Sequence, residues 1–384
     1  MSGTPRERDG FIDVWRAIAI LAVAYWHYVD RLPQEAFQFR DGVSVPMQFG
    51  YLGVEVFFVI SAFLVAPAAA RAPSLAGFLA RRIARIWPLF AVAACVVFVV
   101  GQFFPAPLVS EGPKSFDVSG LTLADLFGTI FLLKDLGFRW VDGAYWSILV
   151  EIKFYFLLAL LLAAFGKHFA TALGLLSVIL GSAYLVFATP GLIEFEAGRK
   201  LASFAIGPYL PFFAIGAYWG RGERPPLLTA NIVLAVALLA LDLSQEEPVN
   251  ALDTVRFIVV LAGVVLLDSL LLQQRTMLWI GRYSYAIYLF HQVLGLTILV
   301  SLSSYLTADV AVLVTFAGIC ALAWVASQLA EYRFQPAMIR FLTPVLSRGP
   351  FARPGYAHVP QPPAAETQAA EYAPVGQTRP AAEA

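Results

Sequence analysis

Apolar runs of membrane-spanning length recur from the start of the sequence to about residue 330, and a chain built this way has few choices of fold. A stretch such as "WSILVEIKFYFLLALLLAAF", 146–165, coiled as a helix, reaches the roughly 20 residues that cross the hydrocarbon core of a bilayer. About ten such spans can be marked, at 12–31, 50–69, 87–104, 145–165, 170–188, 202–220, 227–243, 254–272, 284–303 and 309–330. A further run, "LTLADLFGTIFLLK" at 121–134, is too short to cross and reads as a short re-entrant or interfacial helix. Hydrophobic residues make up 59% of the chain and charged residues 14%, with a mean hydropathy of +0.73. Soluble domains carry about a quarter charged residues. The expected fold is therefore all-α, a polytopic transmembrane helical bundle.

Lys and Arg concentrate on the cytoplasmic side of membrane proteins. With the N-terminus inside, the inner segments hold Arg6, Arg8, Arg71, Arg81, Arg82, Arg85, Lys167, Arg221, Arg224, Arg275 and Arg282, and the tail adds five more arginines. The outer segments hold only Arg31, Arg40, Lys114, Lys134, Arg139, Arg199 and Lys200. Both termini are thus expected in the cytoplasm of a multi-pass inner-membrane protein. Asp9, Asp13 and Arg16 break the pattern of a cleaved signal peptide, so the first span reads as an uncleaved anchor. Residues 1–346 form the membrane domain. From Ser347 the chain turns rich in Pro, Ala, Glu and Gln, a composition that buries no core, and 347–384 is expected to be a disordered cytoplasmic tail. Zero net charge offers no general attraction for nucleic acid. Cys95 and Cys320 fall in apolar runs and read as small buried residues, not as a disulfide or a metal site.

Ionisable residues inside spans are expensive and tend to face a cavity or a partner. In "RAIAILAVAYWH", Arg16 and His27 are eleven residues apart, almost three helical turns, so they share a face about 16 Å apart along the axis. Arg16 then lies near the inner surface and His27 in the outer half. Glu55 in "GYLGVEVFFVISAFL" and Glu151 in "YWSILVEIKFYF" fall at a depth similar to that of His27. A carboxylate beside the imidazole would fix its tautomer and stabilise the imidazolium, as a general base requires. The competing reading is a buried structural ion pair.

Two further motifs lie towards the inner side. "FLARRIARIWPLF" places Arg81, Arg82 and Arg85 together before a span, a cluster able to bind phosphates or simply to anchor the helix end. In "IGRYSYAIYLFH", Ser284, Ile287, Tyr288 and His291 form one helical stripe. Together these sites outline a polar passage from a phosphate-binding mouth, past Tyr288 and His291, to His27.

This set of motifs resembles the acyltransferase 3 family of integral membrane acyltransferases. The likeness runs from about Phe11 to about Pro336, on "FIDVWRAIAILAVAYWHY", "GYLGVEVFFVISAFL", "FLARRIARIWPLF", "YWSILVEIKFYF", "LPFFAIGAYWG" and "IGRYSYAIYLFH" in the family's order. It implies transfer of an acyl group, commonly acetyl from acetyl-CoA, to hydroxyls of extracytoplasmic acceptors such as cell-surface polysaccharides, peptidoglycan or secreted small molecules. It implies that Arg16 and His27 are the essential pair, with His27 the base. Arg81, Arg82 and Arg85 match the motif that holds the CoA phosphates, and Tyr288 and His291 go with the donor. Trp146, Ser147, Glu151 and Tyr155 match the W-S-x3-E-x2-F-Y motif. Ala62 stands where the family has Gly, Lys153 where Gln is common, and "EYRFQP" sets Glu331 too far from Pro336 for the closing E-x-P.

The mechanism expected is base catalysis by His27, oriented by Glu151 or Glu55, with the acceptor alkoxide attacking the thioester directly. An acyl-His27 intermediate stays open, as does acylation of a lipid or small molecule. A second class is a transporter in which His27, Glu55 and Glu151 relay protons; the sequence lacks the paired broken spans of duplicated halves. A third is a membrane sensor acting through its tail.

Overall fold

A computed structural model describes residues 5–30, 49–104, 120–245 and 274–348; the expected span at 254–272 and the tail from 349 lie outside them. The described residues form thirteen α-helices and no strand. In chain order they are α1 (Pro5–Tyr25), α2 (Gly53–Ala70), α3 (Leu75–Phe103), α4 (Leu123–Ile130), α5 (Trp146–Phe165), α6 (Phe169–Ala188), α7 (Glu196–Phe204), α8 (Leu210–Gly220) and α9 (Pro226–Gln245). There follow α10 (Arg275–Phe290), α11 (Val293–Ser303), α12 (Ala308–Arg333) and α13 (Gln335–Leu346).

Five stretches among the described residues are long and apolar enough to cross a membrane: Gly50–Ala70, Leu75–Phe103, Gly143–Ala188, Pro226–Leu243 and Ala308–Ala330. The pair α10 and α11 makes a sixth if counted as one span, bent by 82°. The ten uninterrupted spans expected from hydropathy are thus not what forms. The stretch at 202–220 divides into α7 and α8 around Ile206, whose φ is +54°, and α8 alone is too short to cross. The stretch at 284–303 breaks at His291 and Gln292. Asp13 and Arg16 dilute the apolar run of α1. By contrast, 145–165 and 170–188 form as α5 and α6, separated at Gly166, whose φ is +54°.

Apolar side chains are exposed around the outside of the bundle, among them Val99, Leu160, Ile179, Val233, Leu313 and Leu329. That is the surface a lipid-facing bundle needs, since hydrocarbon imposes no cost on it. Cys95 belongs to this exposed perimeter and only Cys320 is buried, which corrects the expectation that both are buried. The run at 121–134 forms the short helix α4, started by a capping box between Thr122 and Asp125 and seated on α3 by a 3.0 Å bond from Trp87 Nε1 to the Ile130 carbonyl.

Close backbone contact draws the site-bearing helices together. α2 packs along α8 and α1 along α10. A Cβ at Gly216 of α8 would overlap the Val59 carbonyl of α2, and one at Gly281 of α10 would overlap the Asp13 carbonyl of α1. Small residues at crossings are how membrane helices come close enough to pack. The stacked rings of Phe154 and Phe213, 4.0 Å apart, join α5 to α8.

Candidate active site

A cavity opens between α1, α2, α3, α5 and α10. Four guanidinium groups line it: Arg16 of α1, Arg82 and Arg85 of α3, and Arg282 of α10. Arg82 and Arg85 are three residues apart and share a helix face. Arg81 projects elsewhere and is exposed, outside the lining, so the expected trio contributes two members. Arg282 adds another guanidinium to the lining. Its signal was present in "IGRYSYAIYLFH", three residues before Tyr285 on the same face, but it read only as an orientation charge. A pocket with this many fixed cations from three helices suits a polyphosphate.

Glu151 lies in the same cavity. Its Oε1 accepts from Ser61 Oγ at 2.6 Å and from the Tyr155 hydroxyl at 2.5 Å, and Arg16 is its electrostatic neighbour, as it is of Asp13 and Arg85. The carboxylate is therefore held beside Ser61, Tyr155 and Arg16. Its hydrogen bonds thus go to Ser61 and Tyr155, where a bond to the His27 ring was expected. Glu55 lies in the first turn of α2, outside the cavity lining, near Tyr209. Its Oε2 is buried with no hydrogen-bond partner among the described residues. Trp146 is also outside the cavity lining and packs on Phe58 and Tyr209.

One turn from Glu151, Ser147 donates to the Tyr288 hydroxyl at 2.8 Å, and Tyr288 donates to the Ala144 carbonyl at 2.8 Å. Ser147 and Tyr288 both line the cavity. Behind them lie two buried histidines, His27 at 6% and His291 at 0% exposure. The ring of His291 lies 5.1 Å from that of Tyr288. His27 Nδ1 is 3.3 Å from His291 Nε2 and 2.8 Å from the Val23 carbonyl, and His291 Nδ1 is 2.7 Å from the Tyr288 carbonyl. Sequence reasoning placed His291 part-way along a passage that ends at His27; the structure puts the two rings in contact.

Two breaks in regular helix make that contact. After Tyr25, α1 widens into a π-turn, Trp26–Asp30, a distortion frequent at functional sites. The second is the bend between α10 and α11. In an unbroken helix the Val293 N–H would bond to the Leu289 carbonyl. Here Val293 N–H donates to Asp142 Oδ2 at 2.9 Å, and the Leu289 carbonyl accepts from the Tyr145 hydroxyl at 3.0 Å. The His291 carbonyl accepts from the Tyr28 hydroxyl at 2.8 Å, and Asp142 Oδ1 also accepts from Ala144 N–H at 2.9 Å. Every backbone group freed by the bend that is named here has a partner, as burial demands. Asp142, Tyr28 and Tyr145 carried no signal in the sequence beyond their type. Among the described residues, no cluster of three or more His, Cys, Asp or Glu side chains is placed to hold a metal ion.

No solved structure matches the chain. It is 24% identical over 73% of its length to the peptidoglycan O-acetyltransferase OatA of Listeria monocytogenes, covering 48% of that protein. It is 29% identical over 65% of its length to nodulation protein 10 of Rhizobium leguminosarum bv. viciae, covering 73% of that protein. The chain thus spans about half the length of the Listeria relative. A family model described as an acyltransferase domain matches residues 9–328, a stretch that takes in the arginine cavity and both histidines, and the chain belongs to that acyltransferase family.

Proposed function

We propose that this protein is a membrane O-acyltransferase of the bacterial inner membrane, moving an acyl group, acetyl in its simplest form, from cytoplasmic acyl-CoA to a hydroxyl of an extracytoplasmic glycan. The observation that carries the reading is the succession of polar groups from four arginines and Glu151, past the Ser147–Tyr288 pair, to two buried histidines. The likeness to a peptidoglycan O-acetyltransferase supports a glycan acceptor. The Lys and Arg distribution supports both termini inside.

In this reading Arg16, Arg82, Arg85 and Arg282 bind the donor's phosphates, and bidentate hydrogen bonds fix their position. Glu151, tied to Ser61 and Tyr155, keeps Arg16 in place and prevents the cations from splaying apart. His27 takes the proton of the acceptor hydroxyl as its oxygen attacks the thioester carbonyl. The carbon–sulfur bond breaks, and the proton passes from His27 to the departing thiolate, so the products are the ester and a free thiol. Burial of both histidines excludes water that would otherwise hydrolyse the donor.

The test is the content of ester-linked acetyl on surface glycans in three strains: a deletion, the deletion carrying wild type, and the deletion carrying His27→Ala at matched expression. Restoration by wild type alone supports the enzyme and the role of His27. Equal restoration by His27→Ala removes His27 from the chemistry. No difference among the three removes the glycan acceptor and favours a small-molecule or lipid acceptor.

A further inference from the structure

We propose that α6, α8 and α9 hold one buried water molecule between Ser177, Tyr218 and Asn231, a polar lock that joins the three helices. The lock lies outside the arginine cavity and is independent of the acyltransferase reading.

Three buried polar side chains, one from each helix, meet around Gly174 of α6. Ser177 is 0%, Tyr218 1% and Asn231 0% exposed. The Ser177 hydroxyl, the Tyr218 hydroxyl and Asn231 Oδ1 are each buried with no hydrogen-bond partner among the described residues. Asn231 Nδ2 donates to the Gly174 carbonyl at 3.3 Å and to the Leu227 carbonyl at 2.8 Å. Both amide hydrogens are thereby used, and the amide oxygen needs a donor. The Tyr218 hydroxyl rests on Gly174, where a Cβ would overlap it. Ser177 is three residues along α6 from Gly174 and shares its buried face.

A polar group buried without a partner is expensive, the more so in a bundle surrounded by hydrocarbon. Three such groups at one crossing, beyond direct reach of one another, are what a bridging molecule joins. Water matches their chemistry. It donates to Asn231 Oδ1 and accepts from the two hydroxyls, which gives it about three bonds, the usual number for a buried water. An apolar occupant would leave all three groups unpaired, and none of them carries a charge to hold a cation. Gly174 and Asn231 are each five residues from the start of their helices, and Tyr218 is two from the end of α8, so the site is about 8 Å from the helix ends by helical rise. Tyr218 also lies between Gly216 and Gly220, whose Cα atoms seat α8 on the Val59 and Phe63 carbonyls of α2. The lock thus backs the helix on which α2, the carrier of Ser61, is packed.

Unfolding of the full-length protein in detergent, followed by loss of the monodisperse peak, tests the bridge by sign. Removing a buried hydroxyl that has no partner relieves its desolvation, and the midpoint then rises or stays. Removing one bonded to a shared water loses that bond. Tyr218→Phe and Ser177→Ala are therefore each expected to lower the midpoint by about 2 °C. The double variant is expected to fall by less than the sum, because both hydroxyls bind the same molecule. Midpoints that rise or stay, or single effects that add in full, overturn the proposal. A crystal of the wild-type protein grown from a lipid mesophase decides the point without any variant, and so covers the case in which a variant does not fold. The expected result is one density peak about 2.5–3.0 Å from Asn231 Oδ1 and from both hydroxyl oxygens. No peak there, or hydroxyls paired directly with backbone carbonyls, overturns the proposal.

Discussion

Asp142→Asn tests how the bend between α10 and α11 is held. The Asp142 side chain is fully buried, and its two oxygens accept from Val293 and Ala144 N–H, each at 2.9 Å. Asparagine keeps one acceptor oxygen and turns an NH₂ towards the other N–H, so one of the two bonds is lost and a donor is left facing a donor. An intramolecular hydrogen bond is worth about 0.5–1.5 kcal/mol net, and a buried N–H left unpaired costs about 1–3 kcal/mol. The two figures describe the same loss from two sides, so the variant should be destabilised by about 2 kcal/mol. Thermal unfolding in detergent, followed by loss of the monodisperse peak, should show a midpoint a few degrees lower. Val293 is two residues from His291, so kcat should fall as well, about 10-fold, with KM for acetyl-CoA unchanged. An unchanged unfolding midpoint would refute the account of the bend. A lowered midpoint with full kcat would disconnect the bend from the histidine pair.

The arginines separate by position: Arg85→Ala and Arg282→Ala should each raise KM for acetyl-CoA about 10-fold, the equivalent of about 1.4 kcal/mol, whereas Arg81→Ala should stay within about twofold. Gly281→Leu should abolish assembly of the folded protein, read as loss of the monodisperse peak, because the Asp13 carbonyl occupies the space of its Cβ. The Asp125 carboxyl is pushed up by burial but held down more strongly by the N–H groups of Thr122 and Arg139 and the Thr122 hydroxyl, to about 2. A carboxyl ordinarily near about 3.9 and lowered on folding stabilises above its unfolded value and loses that contribution as pH falls towards its folded one. The unfolding-midpoint gap between wild type and Asp125→Asn should therefore be full at pH 7 and shrink on acidification to about pH 3.

What the sequence by itself determined is the solvent and the building block. Runs such as 146–165 leave no choice but helix in lipid, and the positions of Arg16, His27, Glu151 and Tyr288 were legible because a polar side chain in such a run has to be accounted for. Helical spacing also placed Arg82 beside Arg85 and Tyr288 beside His291. Depth along a span did not translate into contact: Glu151 counts to the same level as His27 yet bonds Ser61 and Tyr155. Rotation about each helix axis decides contacts, and hydropathy that is apolar all round carries no record of rotation. Local distortion was equally silent. The π-turn that carries His27 and the 82° bend after Phe290 lie in segments that read as continuous helix. The groups that make them tolerable, Tyr28, Asp142 and Tyr145, come from elsewhere in the chain. Only the tertiary structure brings these donors and acceptors to the broken backbone, because a buried amide finds its partner through space and leaves no periodic trace in the sequence.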